Sequence, residues 1–287
     1  MKLESVCLLL YFDYILKLSH NSFMAQSKSL TYTSYLKVKE LLELQQPESK
    51  PAEHDEMLFI IIHQVYELWF KQILHEFDKL QRDLANNNSW MVAKTLRRVL
   101  TILKTMVSQI DVLETMTPLE FNSFRGFLQS ASGFQSVQFR EMEILCGMRS
   151  KHIIDVHKDQ PELQQNLLDR LNEPTLWESF CAFLQKRGYS IETPARLHEQ
   201  GLVHEPSEHN QNLFVDIMKN DPEAANLCEL FVDYDEGLME WRYRHVKMVE
   251  RTIGTKKGTG GSDGSAYLHK TLNNPIFPDL WAIRTKF

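Results

Sequence analysis

Apolar positions recur every three or four residues through most of this chain, a spacing that predicts helices rather than strands. Between residues 57 and 84 the stripe is Ile62, Tyr66, Trp69, Ile73, Phe77, Leu80 and Leu84. The run Asn86-Asn87-Asn88-Ser89 interrupts it, with Ser89 placed to cap the next helix. The same period then carries Leu96, Val99, Leu103, Val107, Ile110 and Leu113 between residues 90 and 116. Two long helices joined by a short polar break are expected to lie antiparallel. Thr117-Pro118-x-Glu120 opens a further helix with proline at its first position. A break over residues 130–133 precedes an expected helix at 134–148.

From 155 to 211 the pattern weakens. Pro161, Pro174, Pro194 and Pro206 punctuate shorter helical pieces at 162–171 and 176–186. Asp221-Pro222-Glu223 then starts a long helix to about Ile253. No strand-like alternation of useful length appears, and no repeat of 20 to 50 residues. The expected architecture is all-α: one domain, 24–287, built on long antiparallel helices, with a subsidiary helical excursion near 155–211.

The first 23 residues stand apart. The stretch 6–16 is apolar but broken by Asp13, and it is too short to span a bilayer. No small-residue cleavage site follows it. Residues 1–23 are therefore expected to be a leader outside the fold, with Met24 the expected start of the native protein.

Composition narrows the function. At 287 residues and 43% hydrophobic content the chain can bury one large core or two modest ones. A net charge of -6, without a Lys/Arg run, gives no grip on nucleic acid, and no stretch is apolar enough for a membrane span. Cys7, Cys146, Cys181 and Cys228 are scattered, with no C-x-x-C. That argues against a zinc ribbon, a redox dithiol or covalent c-type haem, and it suits a reducing cytoplasm.

H-E-x-x-H is absent, since His75-Glu76 is followed by Phe77-Asp78-Lys79, and Glu-x-x-His occurs nowhere. Zincins and di-iron bundles lose support, as do hydrolases and NTPases for want of G-x-S-x-G or a P-loop. What survives is a site with few ionisable groups. Phe59 and His63 share a helix face, as do Phe121 and Arg125. These pairs offer an aromatic wall, a hydrogen-bond acceptor and a cation. Taken alone, they are better read as a core Phe, a surface Arg and a satisfied His. His245 sits on a helix ahead of the glycine-dense stretch Gly254-Thr255-Lys256-Lys257-Gly258-Thr259-Gly260-Gly261-Ser262. A histidine that can hold a metal beside a hinge that can close over a ligand is a useful combination.

Several longer blocks carry a resemblance. They are His63-Gln64-x-Tyr66-Glu67-Leu68-Trp69-Phe70-Lys71, Leu113-Glu114-Thr115-Met116-Thr117-Pro118 and Ala131-Ser132-Gly133-Phe134-Gln135-Ser136. Trp241-Arg242-Tyr243-Arg244-His245 follows with the glycine-rich stretch, and Phe277-Pro278-x-Leu280-Trp281 closes the chain. In order and in register from about Leu30 onward, these blocks resemble the tryptophan 2,3-dioxygenases, in their compact bacterial form.

The resemblance implies an enzyme carrying haem b, ferrous in the active state. It would insert both atoms of O2 across the indole C2–C3 bond of L-tryptophan to give N-formylkynurenine, the first step of the kynurenine pathway. His245 matches the axial iron ligand, Trp241 a residue that orients it, and Ser132 and Gly133 a loop beside the haem edge. His63 matches the acceptor of the indole N–H and is the candidate catalytic residue, although the family chemistry does not need it as a base. Phe59 and Phe121 match pocket aromatics, Arg125 the carboxylate clamp and Thr259 the ammonium contact. Tyr32 and Tyr35 match aromatics that enter a neighbouring subunit's site in a homotetramer. Two other classes share the pattern: a haem-binding sensor without turnover, and a purely structural helical protein.

Overall fold

The computed structural model describes residues 29–148, 154–155, 157–193, 206–259, 268–269, 272 and 274–287. The expected leader, 1–23, lies outside the described residues. So do Gly260, Gly261 and Ser262 of the glycine-rich stretch and residues 194–205 of the expected excursion. The chain is all-α, with no strand among the described residues.

It divides into two compact units, Met1–Gln46 and Pro47–Phe287. In the first, Thr31 makes a capping box with Ser34 and starts α1, Tyr32–Tyr35. Lys37, in the left-handed region at φ 53°, then turns the chain into α2, Val38–Leu41. Tyr32, Tyr35, Leu36, Leu41 and Leu42 are all exposed.

The second unit is a bundle around three long helices: α3, His54–Ala85; α4, Ser89–Leu113; and α10, Pro222–Ile253. Their relative directions follow from cross-helix bonds. Tyr66 reaches Met106 and Lys79 reaches Thr95, so position numbers rise on α3 as they fall on α4. The two are antiparallel, as expected. Glu223 meets Ser89, while Arg244 meets Asp111, so α10 runs parallel to α4. The α3 stripe that the period predicted is buried: Ile73, Phe77, Leu80 and Leu84 are each 0% exposed. Each such side chain contributes about 1.5–3 kcal/mol of transfer free energy.

Some boundaries differ from expectation. Asn88, not Ser89, caps α4, because the Asn88 carboxamide oxygen accepts the Met91 N–H while Ser89 turns to Glu223. That helix ends at Leu113, where the chain prepares the Thr117 capping box that opens α5, Pro118–Arg125. The helix expected from 134 to 148 is shorter. Gly133–Gln135 is a 3-10 turn, Ser136 is extended and caps Phe139, and α6 spans Val137–Leu145. A serine that can satisfy a helix-start N–H breaks the run even where apolar residues flank it.

Of the expected excursion, α7 spans Pro161–Asn172 and α8 spans Leu176–Lys186. The latter is part of the main core: Phe180 packs 4.7 Å from Phe231, and Trp177 packs 5.4 Å from Phe277. Next come α9, Glu208–Asn220, and α11, Pro278–Ala282. Buried Asp235 of α10 accepts the Ile276 and Phe277 amides and the Trp281 indole N–H, which fixes the C-terminal segment on the bundle.

Candidate functional site

One cavity opens among α3, α5, α6 and α10. It holds about 1690 Å³ free of protein atoms, its mouth included. Phe59, His63, Phe121, Arg125, Ser132, Gly133, Trp241, His245 and Thr259 all line it. The structure thus brings together nine residues that the sequence scatters over 201 positions. Tyr32 and Tyr35 belong to the N-terminal unit, where both side chains are exposed.

On α3, His63 Nδ1 lies 2.7 Å from the Phe59 carbonyl oxygen. A carbonyl only accepts, so Nδ1 carries the proton and Nε2 keeps a lone pair. Burial holds the pKa of His63 below the ordinary value, against a smaller upward pull from that hydrogen bond and the Glu67 carboxylate. The ring is therefore a neutral acceptor. Phe59 packs against it, tilted by 39° at 4.1 Å between centroids, and Phe121 and Phe124 extend the aromatic wall at 5.8 and 5.5 Å from Phe59.

Arg125 ends α5 and donates to the Lys257 carbonyl at 2.5 Å. It forms no ion pair among the described residues, unlike Arg140, which pairs with Glu143 deeper in the wall. Thr259 donates its hydroxyl to the Ala131 carbonyl, also at 2.5 Å. These two bonds fasten the segment after α10 to the chain around α5. Gly254 makes that segment possible: at φ 61° and ψ -129° it ends α10 in backbone territory that is costly for other residues. Ser132 caps the 3-10 turn on the same wall by accepting the Phe134 amide.

His245 projects from α10 one turn beyond Trp241, whose ring lies nearly parallel to it, at 10° and 5.5 Å. The protein encloses His245, yet its ring keeps some accessible surface, which is cavity wall. Burial lowers its pKa to about 4, and the nearby His63 adds to the effect. It has no hydrogen-bond partner among the described residues. A neutral imidazole with a free lone pair in a chamber is a metal ligand in waiting. No group of three or more His, Cys, Asp or Glu side chains able to hold a metal occurs among the described residues. A metal bound at His245 must therefore bring most of its ligands with it, as the iron of a porphyrin does. The residues present fit such a group.

Sequence reasoning passed over other lining residues. Tyr66 and Glu67 follow His63 on the same helix and line the cavity. Spacing alone could have flagged both, one turn beyond the candidate histidine. Arg140, Glu143 and Arg242 form a buried ionic group, with Arg242 3.6 Å from Glu143. No local signal separates these from surface charges, because α6 and α10 meet only in the fold.

Fold and cavity define an all-helical protein organised around an open-mouthed cavity lined by aromatic side chains and histidines. Comparison with known proteins narrows this. The family model described as tryptophan 2,3-dioxygenase matches residues 18–188 and 208–287. The tryptophan 2,3-dioxygenase of Herpetosiphon aurantiacus is 55% identical over 90% of this chain and 98% of its own length. That of Anaeromyxobacter sp. (strain K) is 50% identical over 91% and 97%, and that of Caulobacter vibrioides 39% identical over 91% and 99%. The chain belongs to the tryptophan 2,3-dioxygenase family, a family of dioxygenases that act on tryptophan.

Proposed function

We propose that the cavity holds haem b on His245 and L-tryptophan beside it, and converts the amino acid with O2 to N-formylkynurenine, the entry to the kynurenine pathway. One observation carries this reading: His245, without a hydrogen-bond partner among the described residues, lines the same cavity as His63 and Arg125. Haem b, ferrous in the active state, supplies the O2 activation that no side chain here can provide. Both oxygen atoms end in the product, so the net reaction needs no outside electrons.

The chain's own residues bind and orient. With its proton committed to the Phe59 carbonyl, His63 offers Nε2 as acceptor to the indole N–H. Phe59 and Phe121 pack against the ring and exclude water. Arg125 presents the guanidinium fork to the carboxylate, with Lys257 bracing it from behind. Having given its hydrogen to Ala131, Thr259 can only accept, which suits the ammonium. Trp241 holds the plane of His245, and the Ser132-Gly133 turn borders the cofactor's edge. Tyr32 and Tyr35, exposed on α1, complete a neighbouring subunit's site in a homotetramer.

The test is spectroscopic and then chemical. Purified protein should show a Soret band, and His245→Ala should lose it while keeping its helical circular dichroism. The reduced protein, given L-tryptophan and O2, should form N-formylkynurenine. Haem without product would leave a binding protein; no haem would remove the reading altogether.

A further inference from the structure

Tyr66 stands where three helices meet. It lies on α3, one turn beyond His63, and its hydroxyl donates to the Met106 carbonyl of α4 at 2.8 Å. Its ring packs 6.2 Å from Trp241 of α10, inclined by 60°. Trp241 is the ring on which His245 stacks. Phe70 and Phe139 close other sides of Trp241, at 6.1 and 5.3 Å, and neither has a polar atom to offer.

The Trp241 indole N–H is buried and has no partner in hydrogen-bond geometry among the described residues. Buried donors rarely stay so. The Tyr66 oxygen, which the Trp241 side chain approaches, has spent its own hydrogen on Met106 and retains lone pairs.

We propose that Tyr66 is a positioning residue for His245: its oxygen accepts from Trp241, so that a relay from the Met106 carbonyl to the indole N–H fixes the plane on which the imidazole stacks. This rests on His245 as the haem ligand. It lets one side chain of the His63 helix set, through Trp241, the orientation of the histidine on α10. A space-filling Tyr66 would need only its ring, whereas a positioning Tyr66 needs its oxygen.

Tyr66→Phe separates the two roles. In haem-free protein labelled at tryptophan nitrogen, the indole N–H resonance missing from Trp241→Phe belongs to Trp241. Its exchange with solvent should quicken about tenfold in Tyr66→Phe, the loss of one modest hydrogen bond. Unchanged exchange overturns the relay. In haem-loaded protein the iron–imidazole stretching band should shift in Tyr66→Phe at undiminished haem content. Trp241→Phe should shift it likewise, and the double variant should add nothing further. An unmoved band, or fully additive shifts, overturns the positioning role. If Tyr66→Phe fails to fold, Trp241→Phe carries the band measurement alone, and an unmoved band there is equally fatal. Wild-type protein that binds no haem would instead sink the proposed function, and the exchange measurement would still decide the Tyr66–Trp241 contact.

Discussion

Arg125 offers the sharpest perturbation of substrate binding. Its guanidinium donates to one backbone carbonyl, that of Lys257, and forms no ion pair among the described residues. Arg125→Ala therefore removes a cation that lies open to a ligand rather than one that neutralises the protein. Each charge-assisted hydrogen bond to a carboxylate is worth about 1.5–3 kcal/mol, and part of the loss returns as water enters the gap. A net cost of about 2–4 kcal/mol in kcat/KM follows, or roughly 30- to 700-fold at 1.4 kcal/mol per decade. Most of it should fall on KM, because the carboxylate is remote from the indole bond that changes. Steady-state kinetics with L-tryptophan and with tryptamine, which lacks the carboxylate, isolates the contact. Wild-type protein should prefer tryptophan strongly, and Arg125→Ala should lose most of that preference. Arg125→Lys should fall between them, keeping the charge without the fork. An Arg125→Ala protein that still prefers tryptophan by the wild-type ratio would refute the clamp.

Three further outcomes follow from the same geometry. Thr259→Ala should lower kcat/KM by up to about tenfold and narrow the preference for the L-enantiomer, read by assaying both; unaltered stereoselectivity counts against the ammonium contact. His63→Phe keeps an aromatic ring but removes the acceptor, so the advantage of tryptophan over its indole N-methyl derivative should shrink by about two- to tenfold; a constant ratio speaks against an indole N–H bond. Burial lowers the pKa of His245 to about 4, from the ordinary 6.5, and lowers that of His63 as well. In haem-free protein the unfolded chain then binds more protons below pH 6.5 than the folded one. Stability should fall as pH drops from about 6.5 to about 4, by about 3 kcal/mol for His245. Urea unfolding across that range measures it, and a slope untouched in His245→Phe would show that the histidine is not buried neutral.

Much of this could be read from the chain because helices advertise themselves. The α3 stripe from Ile62 to Leu84 and the Thr117-Pro118-x-Glu120 start are local patterns, and the structure realises both. Boundaries were less legible where two residues compete for one job, as Asn88 and Ser89 do at the start of α4. The spacing placed α8 at 176–186, where it lies, but the polar tenor of 155–211 concealed that its Trp177, Phe180 and Phe183 belong to the main core rather than to an excursion. At the site, the pairs Phe59–His63 and Phe121–Arg125 were visible as helix spacings. Their meeting with His245 depends on α3 and α10 facing each other in the fold, where Tyr66 and Phe70 pack against Trp241, and only the family resemblance anticipated it. The ionic group of Arg140, Glu143 and Arg242 had no such signal.

Main-chain atoms set the hydrogen-bonding polarity of several side chains in the cavity. Four of its polar side chains are each tied to a backbone carbonyl: His63 to Phe59, Arg125 to Lys257, Thr259 to Ala131 and Tyr66 to Met106. A carbonyl only accepts, so it consumes one donor and leaves the rest of the side chain's capacity defined. His63 and Thr259 are left as acceptors and Arg125 as a donor. An amino acid with an indole presents the complement: N–H donors at the ring and at the ammonium, and an acceptor at the carboxylate. Because main-chain atoms set these polarities, they are as rigid as the helices and turns that carry them. Changing a tethering loop should therefore relax specificity even where every lining side chain is kept. Replacing Gly254, which lets the chain turn back with Lys257 and Thr259 in place, is the direct way to see it.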